Sequence, residues 1–96
     1  MKTDEMRGAC KEAVLRVIKE SFKGQEVQLQ RQLFKKRVAS KMCMRRDRII
    51  KHPDELSDEL FDSVMQEIDE TDLGWVIVHV GWHQDLKDTI DLYPYK

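Results

Sequence analysis

Cysteine, proline and glycine are all scarce in this chain of 96 residues, and each scarcity removes a class of protein. Two cysteines, Cys10 and Cys43, cannot build a disulfide framework or a zinc site made of cysteine alone, so a reducing location inside the cell, nuclear or cytoplasmic, is expected. Two prolines and four glycines leave no flexible linker, and no repeat or low-complexity tract is present. One domain spanning residues 1–96 is therefore expected. Long apolar runs are missing too. The longest strongly apolar one, Trp75 to Val78, is far too short to cross a bilayer, and no membrane partner is expected. The opening MKTDEMRG has no apolar stretch behind its lysine, so no secretory signal is expected. Neither common spacing of a glycine-rich phosphate loop occurs.

What the chain does have is charge: 36% of its residues are Asp, Glu, Lys or Arg. The formal net charge of −1 hides a strong segregation. Residues 31–51 hold Arg31, Lys35, Lys36, Arg37, Lys41, Arg45, Arg46, Arg48 and Lys51 against the single acid Asp47. Residues 52–72 hold Asp54, Glu55, Asp58, Glu59, Asp62, Glu67, Asp69, Glu70 and Asp72 with no lysine or arginine. Fields follow distribution as well as sum, so the near-neutral total does not exclude an anionic partner.

Hydrophobic periodicity divides the chain into elements. From about Asp4 to Phe22, Met6, Cys10, Val14, Val17, Ile18 and Ser21 recur at spacings of three and four, the pattern of an amphipathic helix with one buried stripe. Gly24 stops it. The alternating QEVQL predicts a short strand or an extended link. A second helix is expected over Gln30 to Cys43, with Phe34, Val38 and Met42 inward. Arg45 to His52 reads as a basic connection ending at Pro53. The third helix has the best-marked start: Ser57 can cap it, Leu56 and Phe61 are spaced for a hydrophobic staple, and Asp58 and Glu59 complement the helix dipole. Asp58, Glu59, Asp62, Gln66 and Glu70 then form an outward acidic face, whose Asp58 and Asp62 are expected to be exchangeable for lysine at small cost to the core. After Gly74 the period changes from 3.6 to 2. WVIVHVGW (75–82) and TIDLYPY (89–95) predict two antiparallel strands, with Val76, Val78, Val80 and Trp82 sharing one face.

The order helix, short strand, helix, helix, strand, loop, strand resembles the winged-helix family over nearly the whole chain, with residues 83–88 in the place of the wing. The implied fold class is α+β, winged-helix-like, with three helices packed on a small antiparallel sheet. The stretch HPDELSDELFDSVMQEID also resembles modules in small subunits of the eukaryotic RNA polymerase III machinery. In DNA-binding winged helices the third helix enters the major groove. Here that helix is acidic and carries no base, and the wing offers only Lys87 between Asp85 and Asp88, so groove reading is disfavoured.

Catalytic constellations are not evident. His79 and His83 lie four apart on a strand and a loop, where that spacing does not bring side chains together, and no metal or cofactor is expected. Cys43 has Lys41, Arg45 and Arg46 nearby in sequence, a setting that can favour thiolate, but no histidine is spaced to serve it. The expectation is a non-catalytic binding module of an intracellular assembly, docking a protein partner within transcription or other nucleic-acid machinery through its charged helix faces. The acidic face is Asp58, Glu59, Asp62, Gln66 and Glu70. The basic face is Lys35, Lys36, Arg37, Lys41, Arg45, Arg46, Arg48 and Lys51. The alternative is nucleic-acid binding through segment 31–51 without sequence preference. Trp82 either packs in the core or projects as an aromatic anchor.

Overall fold

The computed structural model describes residues 2–69, 72–84 and 86–95. Along them run α1 (Lys2–Ser21), β1 (Val27–Gln30), α2 (Arg31–Cys43), a 3₁₀ turn (Pro53–Glu55), α3 (Asp58–Asp69), β2 (Val76–Val80), α4 (Gly81–Gln84) and β3 (Thr89–Pro94). The architecture is α+β. In α1 the apolar stripe Cys10, Val14, Val17 and Ile18 is wholly buried, widened by Ala9 and Ala13. Phe34, Val38, Ala39 and Met42 bury the matching stripe of α2. At the start of α3 the Leu60 backbone N–H donates to Ser57 Oγ at 3.1 Å, so the expected cap forms. Leu56 and Phe61, on either side of that cap, are both buried.

The sheet is three-stranded and antiparallel, in the order β1–β3–β2. The expected pairing of the two C-terminal segments is present, with Val78 opposite Leu92 and Val80 opposite Ile90. The QEVQL segment, open between strand and link, supplies β1, where Val27 pairs with Leu92 and Leu29 with Ile90. Strand alternation puts Val76, Val78, Val80, Ile90 and Leu92 into the core. The helices cover that same face: α1 packs on α2 and α3, and α3 rests on β2. The Val80 N–H donates to Asp69 Oδ1 at 3.3 Å, tying the end of α3 to the end of β2.

One expectation of the fold needs correction. The strand predicted over 75–82 ends at Val80, and Trp82 leaves the β2 face for the short helical turn α4. The cause is a close approach at Gly81. A Cβ there would lie 2.8 Å from the Thr89 carbonyl oxygen, so only glycine permits the crossing. The Lys87 N–H then donates to the Gly81 oxygen at 3.3 Å and closes the loop. The basic connection over 45–52 carries neither helix nor strand, as expected, and within it Ile50 is fully buried in the core. Arg48 adopts φ +45°, a left-handed conformation that helps turn the chain there.

Candidate functional site

The charged segments that are separate in sequence meet in space. Arg31, the first residue of α2, sends Nη2 to Asp62 Oδ1 at 3.1 Å and Oδ2 at 3.2 Å, with Asp58 Oδ1 at 3.6 Å. One turn on, Lys35 Nζ donates to Asp58 Oδ1 at 2.6 Å. That hydrogen bond, aided by the Lys35 and Arg31 charges, holds the Asp58 carboxyl below the usual carboxylate range. Two members of the expected acidic face are therefore partly spent on the basic segment. The expectation that they are freely exchangeable is corrected: Arg31 is only 15% exposed, and a lysine at 58 or 62 would stand against it.

The far end of α2 is partly neutralised by α1. Lys41 Nζ lies 2.6 Å from Glu20 Oε2 and Arg37 Nη2 lies 3.5 Å from Glu20 Oε1. The Lys41 hydrogen bond leads the downward shift of the Glu20 carboxyl. Arg45 bridges Glu12 and Asp47, each at 3.0 Å. Glu67 of α3 accepts from Arg7 at 2.8 Å and Lys11 at 2.7 Å, hydrogen bonds that lower its pKa.

The expected basic face thus divides. Lys35, Arg37, Lys41 and Arg45 are engaged by carboxylates. Lys36, Arg46, Arg48 and Lys51 are exposed, with no side-chain ion pair among the described residues. On α3, Glu59 and Gln66 are exposed, whereas Glu70 lies outside the described residues, as does Asp85 of the loop.

Trp82 is neither a member of the β2 core face nor a free anchor. Its half-buried ring stacks on Phe61, with centroids 6.0 Å apart and planes 23° apart. The Arg31 guanidinium carbon lies 5.2 Å from its centroid, over the ring, and His83 meets it edge-on with centroids 5.7 Å apart. A cation over an indole face is an attractive contact. Arg31 therefore clamps three elements at once, since its backbone N–H also donates to the Asp88 oxygen at 2.9 Å. Sequence reasoning counted Arg31 only as one more positive charge. Its partners Asp58, Asp62 and Trp82 lie far along the chain, beyond any local pattern.

The thiols are ordinary. Burial pushes the Cys10 thiol up to about 11, despite the opposing charge of Arg7. Desolvation, with Glu55 nearby, also raises the Cys43 thiol, so the basic neighbours in sequence do not create a thiolate. Among the described residues no group of three His, Cys, Asp or Glu side chains could hold a metal ion. None of their helices is long and apolar enough to cross a membrane. No protein-family model, curated protein or solved structure matches this chain.

Proposed function

We propose that this chain is a winged-helix module without catalytic activity that docks proteins within an intracellular assembly, in transcription or other nucleic-acid machinery. The element order and the β1–β3–β2 sheet support the winged-helix reading. The observation that carries docking over nucleic-acid binding is the internal pairing of the basic segment. Lys35, Arg37, Lys41 and Arg45 already face Asp58, Glu20, Glu12 and Asp47, so they offer phosphates no continuous row of free charge. Glu59 and Gln66 on α3 and Lys36 on α2 remain available as polar contacts that set encounter and register. Replacing Glu59 and Gln66 with lysine should leave thermal unfolding unchanged and abolish capture of the partner from native cell extract. Retained capture would sink docking through α3.

The second reading, nucleic-acid binding without sequence preference, rests on Lys36, Arg46, Arg48 and Lys51, the cations of segment 31–51 with no side-chain ion pair among the described residues. A salt-resolved titration against duplex DNA, duplex RNA and single strands tests it. Changing Arg46 and Arg48 together to alanine should then reduce the salt slope by about two units. Undetectable binding at low salt removes this reading.

A further inference from the structure

The outer face of the sheet, turned away from the helices, has a chemistry unlike the rest of the surface. Ile77 of β2 lies opposite Tyr93 of β3 and is 48% exposed. Trp75, just before β2, and Tyr95, just after β3, are each 41% exposed. A strand facing water on one side ordinarily carries polar residues there. An isoleucine with aromatic neighbours is the departure from that rule.

Among the described residues 72–79 and 91–95 the charged side chains are Asp72 and Asp91, with no lysine or arginine and His79 as the one basic group. From His52 to Tyr95 the only lysine or arginine is Lys87, and it stands in the loop rather than on this face. Tyr95 donates its hydroxyl to Asp72 Oδ2 at 3.2 Å, while Asp72 Oδ1 accepts from the Gly74 N–H at 2.9 Å. These bonds fix a carboxylate at the aromatic rim. On the central strand Asp91 sits opposite both His79 and Gln28, between the inward-facing Ile90 and Leu92. It is only 6% exposed, and its Oδ1 accepts no hydrogen bond from the described residues. A buried carboxylate oxygen without a donor is costly and projects its field through a poorly screening medium. A cation laid over the face offsets part of that cost.

We propose that this outer face, centred on Ile77 and Tyr93 and rimmed by Trp75, Tyr95 and Asp72, docks an extended segment of a partner protein bearing lysine or arginine. The extended form follows from topology. Strand β2 has β3 on one side and no strand on the other among the described residues; Asp69 takes the Val80 N–H on that edge, so the stretch where a peptide can add as a further strand is the start of β2, up to His79. Methylene stems of the basic side chains cover Ile77, and their charged heads meet the aromatic faces and carboxylates. A nucleic acid does not fit, because its phosphates would approach carboxylates with no lysine or arginine on the face among the described residues. A second copy of the chain would set two acidic surfaces together. This surface lies apart from the outward side of α3 and the exit of α2, so either docking site can fail without the other.

The test is a titration of isotope-labelled protein, followed by amide NMR, with acetyl-Lys-Val-Lys-Val-Lys-amide and its glutamate analogue. Shifts confined to residues 75–79 and 91–95 with the lysine peptide, and at least tenfold weaker binding of the glutamate peptide, are expected. Ile77→Lys, at an exposed position, should keep the spectrum dispersed and weaken the lysine peptide at least tenfold. Asp91→Asn should weaken it by about fivefold. Equal binding of both peptides, shifts centred on residues 58–66, or unaltered affinity in Ile77→Lys would each overturn the proposal. So would a concentration-dependent dimer in sedimentation that Ile77→Lys abolishes, which would assign the face to a second copy.

Discussion

Arg31 and Lys35 open helix α2, and Arg46 and Arg48 follow its end, yet the same side-chain chemistry meets two different fates. At the opening, Arg31 lies between Asp62 and the ring of Trp82, and Lys35 is bonded to Asp58. Beyond the end, Arg46 and Arg48 stand in solvent without side-chain ion pairs among the described residues. A charge count along the chain treats these pairs alike. The field at the surface does not, because a paired and partly buried cation no longer presents its charge to a partner. The first pair belongs to the fold, and the second stays exposed at the surface.

That contrast is breakable by substitution. The largest effect should come from the α2–α3 seam: changing Asp58 and Asp62 together to lysine should lower the urea midpoint more than any substitution at the exit, though by less than breaking a fully buried pair would. The discount from a fully buried pair reflects the exposure of both carboxylates, which is greater than that of Arg31. A midpoint no lower than that of Arg46→Ala would mean that the seam is as solvated as the exit.

Acidification should separate the two regions next. The carboxyls of Glu20, Asp47, Asp58 and Glu67 are all lowered in the folded protein, led by hydrogen bonds from Lys41, Arg45, Lys35 and Lys11 respectively. A depressed folded pKa gives stability that is complete above the ordinary carboxylate range and lost as pH falls through the folded value. Urea midpoints should therefore fall on acidification through and below that range. Asp58→Asn should show a shallower fall, and a variant with Arg46 and Lys51 changed to alanine should keep the parent profile.

A smaller effect of opposite sign is expected at the exit. Arg48→Gly should raise stability by about 1 kcal/mol, because its left-handed backbone penalises a residue with Cβ, and a thermal melt would reveal it. Smallest of all, Arg46→Ala and Lys51→Ala should each stay within about 0.5 kcal/mol of the parent.

Much of the architecture was legible where the physics is local. The Ser57 cap acts over three residues, and the Leu56 and Phe61 positions flank it in the same stretch, so both could be read before any tertiary contact was known. The change of period at Gly74 likewise marks the passage from helix to strand. The sites were less legible. Asp58 and Asp62 stand on the polar side of their helix as expected, but only the packing of α2 beside α3 turns them towards Arg31 and Lys35. Trp82 continues an alternating pattern in sequence, and the crowding of Gly81 against Thr89 ends the strand two residues before it. Ile50 gave no periodic signal because it lies in an irregular connection.

The sequence by itself determined the type and approximate extent of the principal helices and strands, the apolar stripe of each helix and the inward face of β2. These depend on side-chain periods of 3.6 and 2 and on caps that span a few residues. Tertiary structure alone decided that β3 lies between β1 and β2, that Arg31 closes over Trp82, and that Asp91 is buried on the outer sheet face. Each of those outcomes joins residues far apart in the chain. Their proximity is set by how the elements pack to bury one shared core, and no local spacing encodes it.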